Sequence, residues 1–255
     1  MTGATVASPA RRASDVGFLG KTWALTRKDI RVELRARDTL PPMLAFAFAV
    51  TLLLAFSLPA DGRLVRPTGA PVLGTAPLAD VLAGFMWVTI LFAGLIGFAR
   101  TFEVERAEGA LDAMLLVPLD RSALFLSKGA ANLIYVVISE SVLIPIFLLL
   151  FQIDLGARIV PLLLVVLLVD IGFVAIGTLF ASLAAQTSSR ELMLPILALP
   201  VLVPIFIAAV ELSSELFLGG GLSDVASKGW FGILLAFDCV FLVVGALAFE
   251  YALEG

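Results

Sequence analysis

Histidine is absent from this 255-residue sequence, and cysteine occurs once, as Cys239. Without histidine, the chain lacks the most common haem and metal ligand and the usual proton carrier near neutral pH. A single cysteine excludes a disulfide within the chain, a CxxC pair and a cysteine-based metal site. A GxxxxGK[ST] run is also missing, so the chain has no ATP-binding P-loop of its own. We therefore expect no catalytic residues and no metal site in this chain.

Charge is also scarce. Only 15% of residues are charged, 60% are hydrophobic, and the mean hydropathy is +1.07. A soluble fold cannot bury so much apolar surface, so the composition indicates a polytopic membrane protein surrounded by lipid. We expect no nucleic-acid partner.

Six apolar blocks are long enough to cross a membrane core of about 30 Å, which takes roughly 20 helical residues. The predicted spans are about Leu40–Leu58, Leu78–Ala99, Ala130–Phe151, Ile159–Ala184, Leu192–Val210 and Trp230–Leu253. The fold class is therefore an all-α polytopic membrane protein, with one transmembrane domain over residues 39–255.

The amino-terminal region divides into two parts. Residues 1–17 are small and polar without an apolar signal core, which predicts a disordered cytoplasmic tail. Residues 18–38 predict an amphipathic helix lying on an anionic leaflet. Its apolar face carries Leu19, Trp23, Ile30 and Leu34, and its neighbouring basic face carries Lys21, Lys28, Arg31 and Arg35. A basic cytosolic helix is the alternative, and it would leave Trp23 and Ile30 in water.

The distribution of basic residues gives the orientation. With the amino terminus inside, the outer segments hold four of the 17 basic residues, which are Arg63, Arg66, Arg158 and Lys228, and the inner segments hold the other thirteen (17 − 4). We therefore expect both termini in the cytoplasm, with residues 102–128 also inside.

A charged stretch separates the second and third spans. An acidic stripe at helical spacing is formed by Glu105, Glu108 and Asp112, and an adjacent apolar stripe by Val104, Ala107, Leu111 and Leu115. Glu103 and Arg106 can pair at i, i+3, and Pro118 ends the pattern. The pattern predicts a short amphipathic helix, about residues 102–117, that offers charge to a soluble partner. A solvated connecting loop is the alternative.

Three acidic residues lie well inside spans: Glu140, Asp170 and Asp238. A carboxyl within a membrane costs roughly 2.5–3.5 kcal/mol on insertion scales, so each is a candidate functional residue. Their similar depth predicts one polar cavity between them. The alternative is a protonated acid bonded to a neighbouring hydroxyl or carbonyl, such as that of Ser139, Ser141 or Thr178.

The fifth span carries Pro195, Pro200 and Pro204. Each proline removes a backbone donor and tends to kink a helix. The span is either a hinge beside a cavity or a kinked packing helix. After it, residues 211–229 predict two short outer helices, Glu211–Leu218 and Leu222–Lys228, separated by three glycines.

Three segments resemble the haem exporter protein B family of cytochrome c maturation. EGALDAMLLVP (Glu108–Pro118) resembles the family motif DG-x-L-x-x-L-x-L-x-P, with Glu108 where the family often has Asp. LMLPILALPVLVP (Leu192–Pro204) resembles the family's proline segment, and KDIRVELRARD (Lys28–Asp38) resembles its amino-terminal L-x-x-E-x-R helix. The first motif is shared with the wider type-2 ABC exporter permeases.

This resemblance implies a membrane permease subunit of an ABC complex for cytochrome c biogenesis in the bacterial inner membrane. The implied partners are a cytoplasmic ATPase that binds ATP and Mg²⁺, a haem-handling maturation subunit, a small accessory membrane subunit, a periplasmic haem chaperone and a second copy of this chain. Haem is handled by these partners, and this chain is expected to bind no cofactor. The stretch Phe102–Pro118 becomes the coupling helix, where Gly109 allows close backbone approach.

Two other functions remain open at this point. The chain fits a type-2 exporter permease for a lipid, drug or polysaccharide. It also fits a proton-coupled carrier that uses Glu140, Asp170 and Asp238.

Overall fold

A computed structural model describes residues 17–57, 78–107, 121–185, 190–227 and 229–252. Apart from a 3₁₀ turn at Gly156–Arg158, the regular structure in these ranges is α-helical. The helices are α1 (Phe18–Ala36), α2 (Leu40–Ser57), α3 (Leu78–Ala107), α4 (Arg121–Leu150), α5 (Ile159–Ala185), α6 (Arg190–Phe217), α7 (Leu222–Ser227) and α8 (Gly229–Ala252). Six of them, α2 to α6 and α8, are long and apolar enough to cross a membrane. The predicted fold class is confirmed.

Three spans extend beyond their predicted ends. Helix α3 continues past Ala99 to Ala107, α4 begins at Arg121 rather than Ala130, and α6 continues past Val210 to Phe217. Polar residues in these extensions are the reason that hydropathy predicts shorter spans. Several of them are paired inside the fold, as the contacts of Thr101, Lys128 and Ser213 described below show.

Helix α5 is the centre of the bundle. It packs against α3, α4, α6 and α8, and most of its residues from Leu162 to Ala185 are buried. Helices α2 and α8 lie at the edges and expose most of their apolar residues.

Helices α3 and α5 interlock through glycines. The ring of Phe173 on α5 lies where a side chain at Gly94 would be, and the ring of Phe98 on α3 occupies the corresponding space at Gly177. The two rings pack edge to face, with centroids 4.9 Å apart. Because residues 94 and 98 meet residues 173 and 177 in the same order, the two helices run parallel, as their positions in a six-span chain require.

Helix α1 packs along α4. It buries Thr26 and Glu33, while Leu19 is 79% exposed and Trp23 is 63% exposed. An amphipathic helix is therefore present at 18–36. Its exposed apolar side chains suit a membrane surface, and that position stays a prediction. Residues 1–16 lie outside the described ranges.

The predicted outer helices are found in part. Leu222–Ser227 is helix α7, but the first piece, from Glu211, is the end of α6. Gly219 breaks the chain after α6 with a φ of +109°, which favours glycine. Arg158 Nη1 donates to the Leu216 carbonyl at 2.7 Å, so the 3₁₀ turn holds this outer end of α6.

Candidate functional site

The predicted coupling helix lies only partly within the described residues. Positions 102–107, which include Glu103, Glu105 and Arg106, form the last turns of α3. The start of the predicted helix is therefore continuous with the second span and is not a separate element. The rest of the coupling segment, by which we mean residues 102–118, falls outside the described ranges. It includes Glu108, Gly109, Leu111, Asp112, Leu115 and Pro118.

A buried chain of hydrogen bonds joins α3 to α4 and α5 just before this segment. Thr101 Oγ1 on α3 donates to Asn132 Oδ1 on α4 at 2.6 Å. Asn132 Nδ2 then donates to Thr178 Oγ1 on α5 at 2.9 Å. Asn132 is 1% exposed and Thr178 is 0% exposed. We call these three residues the polar chain. It places the carboxyl-terminal end of α3 in direct contact with α4 and with α5, the central helix.

Replacing Asn132 with leucine is expected to destabilise the protein by roughly 1–3 kcal/mol, because the buried hydroxyl of Thr178 loses its donor and Thr101 loses its acceptor across the interface. The shift of the thermal unfolding midpoint in lipid nanodiscs measures this. Thr89→Val is the matched control, since Thr89 is equally buried but bonds only to the carbonyl of Phe85 in its own helix. Equal shifts for both variants would show that the polar chain adds nothing.

Contacts between α1, α4 and α2 form a second polar group near the amino-terminal ends of α2 and α4. Lys128 Nζ on α4 lies 2.9 Å from Asp29 Oδ2 on α1, and the Lys128 side chain is only 3% exposed. Next to this pair, Thr26 Oγ1 donates to the Ser127 carbonyl at 3.2 Å. Glu33 Oε1 accepts the amides of Thr39 and Leu40, at the start of α2, at 2.9 Å each. Helix α1 is thus tied to the bundle by buried polar contacts.

Sequence reasoning missed Glu33, Asp29 and Lys128 as structural residues. Glu33 is buried and caps the amino terminus of α2, where a carboxylate also meets the positive end of the helix dipole. A signal was available, because an acid stands within a run of basic residues shortly before a Thr-Leu-Pro-Pro helix start. The predicted basic residues Lys28, Arg31 and Arg35 remain on the exposed side of α1.

The three acids inside the membrane are all buried: Asp170 is 0%, Glu140 4% and Asp238 5% exposed. Glu140 on α4 and Asp170 on α5 face each other within hydrogen-bonding reach. Asp238 on α8 lies instead against the backbone of Gly172, where a side chain would be 2.5 Å from its Oδ1. The structure therefore brings two of the acids together and separates the third.

None of the six carboxyl oxygens of these acids has a hydrogen-bond partner among the described residues. The hydroxyls considered from the sequence are used elsewhere or stay apart. Thr178 Oγ1 belongs to the polar chain, and Ser141 Oγ donates to the Val137 carbonyl at 2.6 Å. A cavity of about 10 Å³ lies beside Glu140 and is lined by Ser139 and by apolar residues of α2 and α3. Asp170 and Asp238 do not line it.

The proline helix α6 runs without a break through Pro195, Pro200 and Pro204. Pro145, which the sequence pattern did not single out, lies likewise inside α4. Between α3 and α6 lies an apolar groove of about 340 Å³, lined by residues that include Trp87, Leu199 and Phe206, with Glu211 among them. Trp87 Nε1 donates to Ser213 Oγ at 2.9 Å and so joins the two helices. The hinge role of the prolines stays a prediction.

Comparison with known proteins places most of this chain in one family. A family model described as CcmB protein matches residues 20–255. A "Heme exporter protein B" of Rhodobacter capsulatus is 28% identical over 189 residues, covering 74% of this chain and 80% of that protein. One of Bradyrhizobium diazoefficiens is 28% identical over 228 residues, covering 88% and 93%. The Escherichia coli K12 protein of that name is 26% identical over 110 residues, covering 43% and 44%. The family match includes all six spans and the coupling segment.

Proposed function

The chain belongs to the CcmB protein family, and on this premise we propose that it is the membrane permease subunit of an ATP-driven complex that serves haem handling in cytochrome c biogenesis. The observation that carries the proposal is the family match over residues 20–255. Relatives named for haem export, aligned over up to 93% of their length, support the substrate class. This subunit is a transport component without an ATPase site of its own.

ATP and Mg²⁺ bind to a separate cytoplasmic subunit, because this chain has no P-loop sequence. That subunit docks on the coupling segment through the acidic stripe. The proposal includes the bacterial inner membrane as the location, with both termini in the cytoplasm, as the thirteen inner basic residues indicate. A second copy of this chain, a haem-handling subunit, a small accessory subunit and a periplasmic haem chaperone complete the complex.

The arrangement of α3 supports a route for the conformational change. Helix α3 is continuous from Leu78 in the membrane to Ala107 in the coupling segment. A displacement of the coupling segment therefore moves α3 as one continuous helix. Thr101, less than two turns before Ala107, passes the movement to α4 and α5 through the polar chain. ATP hydrolysis in the partner in this way resets the central helices and releases the haem-loaded chaperone on the outer side.

Charge reversal in the coupling segment tests this function. The double variant Glu105→Lys, Glu108→Lys inverts the acidic stripe, and lost charged contacts at a partly buried interface cost about 2–5 kcal/mol. We expect the untagged ATPase subunit to be lost when the tagged variant is purified, and maturation of c-type cytochromes to fail. The measurements are subunit retention and haem staining of cytochromes.

The matched control reverses two exposed acids in the predicted outer loops, Asp154→Lys and Asp224→Lys. Their substitution removes only local loop contacts. We expect this control to keep the ATPase subunit. If the variant of Glu105 and Glu108 also keeps the subunit and matures cytochromes, the coupling segment is only a connector.

The purified chain, free of partners, is expected to show no stoichiometric haem absorbance after reconstitution with haem. Haem iron is usually held by His, Cys, Met or Tyr. Histidine is absent, and Met43 and Met86 are 1% and 0% exposed within the packed core. Cys239 is the single cysteine and is exposed on the apolar face of α8. A one-to-one complex with a Soret band, lost on changing one Met or Cys239, would overturn this expectation.

A further inference from the structure

The facing surfaces of α4 and α5 carry two polar contacts at a regular spacing. Asn132 meets Thr178 toward the cytoplasmic end. Eight residues further along α4 is Glu140, and eight residues earlier on α5 is Asp170. Because the helices run antiparallel, this shared register places the two acids opposite each other, about 12 Å deeper in the membrane at 1.5 Å per residue. Their contact is therefore fixed by the same packing that fixes the polar chain.

The chemistry of this contact is incomplete without a proton. An ionised carboxyl accepts hydrogen bonds but has no hydrogen to donate. The four oxygens of Glu140 and Asp170 are buried without a partner among the described residues. Two negative charges facing each other in a low-dielectric interior repel strongly. A proton on either carboxyl removes one charge and provides the missing donor.

Neighbouring helices provide no opposite charge at this depth. Helix α2 has no ionisable residue, α3 has none between Asp80 and Arg100, and α6 has none between Glu191 and Glu211. Lys128 lies on α4 twelve residues before Glu140, about three turns away, and it pairs with Asp29 of α1.

The remaining ionisable groups near this depth do not offset the negative charge of the pair. Tyr135 lies on α4 itself, more than one turn before Glu140, and a phenol carries no positive charge. On α8, Asp238 lies against Gly172 and so faces a different side of α5. Cys239 is exposed on the outside of the bundle. On the outer side, the 3₁₀ turn before α5 carries Arg158, which bonds to backbone carbonyls there.

We propose that Glu140 and Asp170 form a proton-binding site, in which one shared proton joins α4 to α5 in the middle of the membrane. A small cavity of about 10 Å³ lies beside Glu140, and Ser139 and Glu140 are among its mainly apolar lining residues. It gives the proton a route for exchange when α2, which lies at the edge of the bundle, moves aside. With the proton bound, α4 and α5 are held together. Without it, the two carboxylates push the helices apart.

Infrared spectroscopy of the full-length chain in lipid nanodiscs tests for the proton directly. At neutral pH the wild-type protein should show the C=O stretch of a protonated carboxyl. The double variant Glu140→Gln, Asp170→Asn should lose the part of that band that the pair contributes, and any part that Asp238 contributes should remain. Asp238→Asn is the matched control, because it removes a buried carboxyl that faces no second one, and it should keep the band of the pair.

Isotope labelling of glutamate carboxyl carbons makes the result independent of whether a variant folds. In protein labelled at glutamate and, separately, at aspartate carboxyl carbons, part of the protonated-carboxyl band should shift with the label of the residue that holds the proton. A band that neither label shifts, or a band of equal size in the double variant, would overturn the site.

The pH dependence of thermal unfolding tests whether the shared proton holds α4 and α5 together. A proton that the folded state binds and the unfolded state releases stabilises the fold by mass action, so stability decreases as pH rises. We expect the unfolding midpoint of the wild type and of Asp238→Asn to fall as pH rises from about 4, where the carboxyls of the unfolded chain ionise, through neutral. The double amide variant, which keeps uncharged partners at every pH, should show a flatter dependence. The same pH dependence of the unfolding midpoint in all three proteins would show that the shared proton does not hold α4 and α5 together.

Discussion

Replacing Lys128 with methionine is expected to destabilise the protein by roughly 3–5 kcal/mol, the range for removing one partner of a buried ion pair. The side chains of Lys128 and Asp29 are 3% and 11% exposed, and their charged atoms are 2.9 Å apart. Methionine preserves much of the length and apolar packing of the lysine but not its charge. The carboxylate of Asp29 then remains at the α1–α4 interface without its buried partner.

The chain contains a matched control for this prediction. Lys28 also lies near Asp29, at 3.4 Å, but its side chain is 43% exposed. An exposed pair contributes about 0–1 kcal/mol, so Lys28→Met should change the unfolding midpoint little. Trypsin cleavage within α1 gives a second measurement, because α1 released from α4 can unfold locally at Arg27 and Arg31, which are exposed but helical in the folded protein. Equal effects of the two variants would contradict a special role for the buried pair.

The double variant Asp29→Asn, Lys128→Met should recover part of the loss, since it leaves no unpaired charge at the interface. This result would separate the free-energy cost of an unpaired carboxylate from the cost of losing the attraction between the two charges.

The packing of α1 on α4 also bears on function, because α1 holds the end of α4 where the chain returns to the membrane from the coupling segment. If the proposed function holds, a loosened α1 should therefore weaken the response of α4 to the partner ATPase.

The number and class of the spans could be predicted because hydropathy depends on local composition alone. The ends of the spans could not be predicted, because the free-energy cost of placing a polar residue near the membrane depends on whether the fold gives it a partner. Lys128 marked a loop in the sequence, yet its charge is matched by Asp29, nearly a hundred residues earlier. Thr101 and Ser213 are likewise satisfied by Asn132 and Trp87 on other helices.

The acids show the same limit at the candidate site. Composition singled out Glu140, Asp170 and Asp238 correctly as buried carboxyls. Which of them meet depends on the register between helices, and a one-residue rotation of α5 would present another side chain to Glu140. Hydropathy contains no direct measure of that register. The polar pair Asn132–Thr178 fixes it. Asn132 did not stand out in the sequence, and Thr178 was considered only as a hydroxyl partner for an acid.

Replacing Phe173 with alanine is expected to destabilise the protein by roughly 3–5 kcal/mol, because it empties the centre of the bundle. Phe173 is 0% exposed and packs edge to face with Phe98 and with Phe206, with ring centroids 4.9 and 5.2 Å apart. Within a membrane, transfer from water contributes little between helices, and close packing carries the association instead. The loss of stability should therefore depend on the packing contacts that the Phe173 ring makes.

The matched control is Phe48→Ala on α2, since Phe48 is 50% exposed on the surface that faces lipid. Lipid chains fill the space left by that ring, so we expect a small change in the unfolding midpoint. A bulky residue at Gly94 or Gly177 should act like the loss of Phe173, because it displaces a ring from the same interface. Similar midpoints for Phe173→Ala and Phe48→Ala would mean that α3 and α5 are not held together by this interlock.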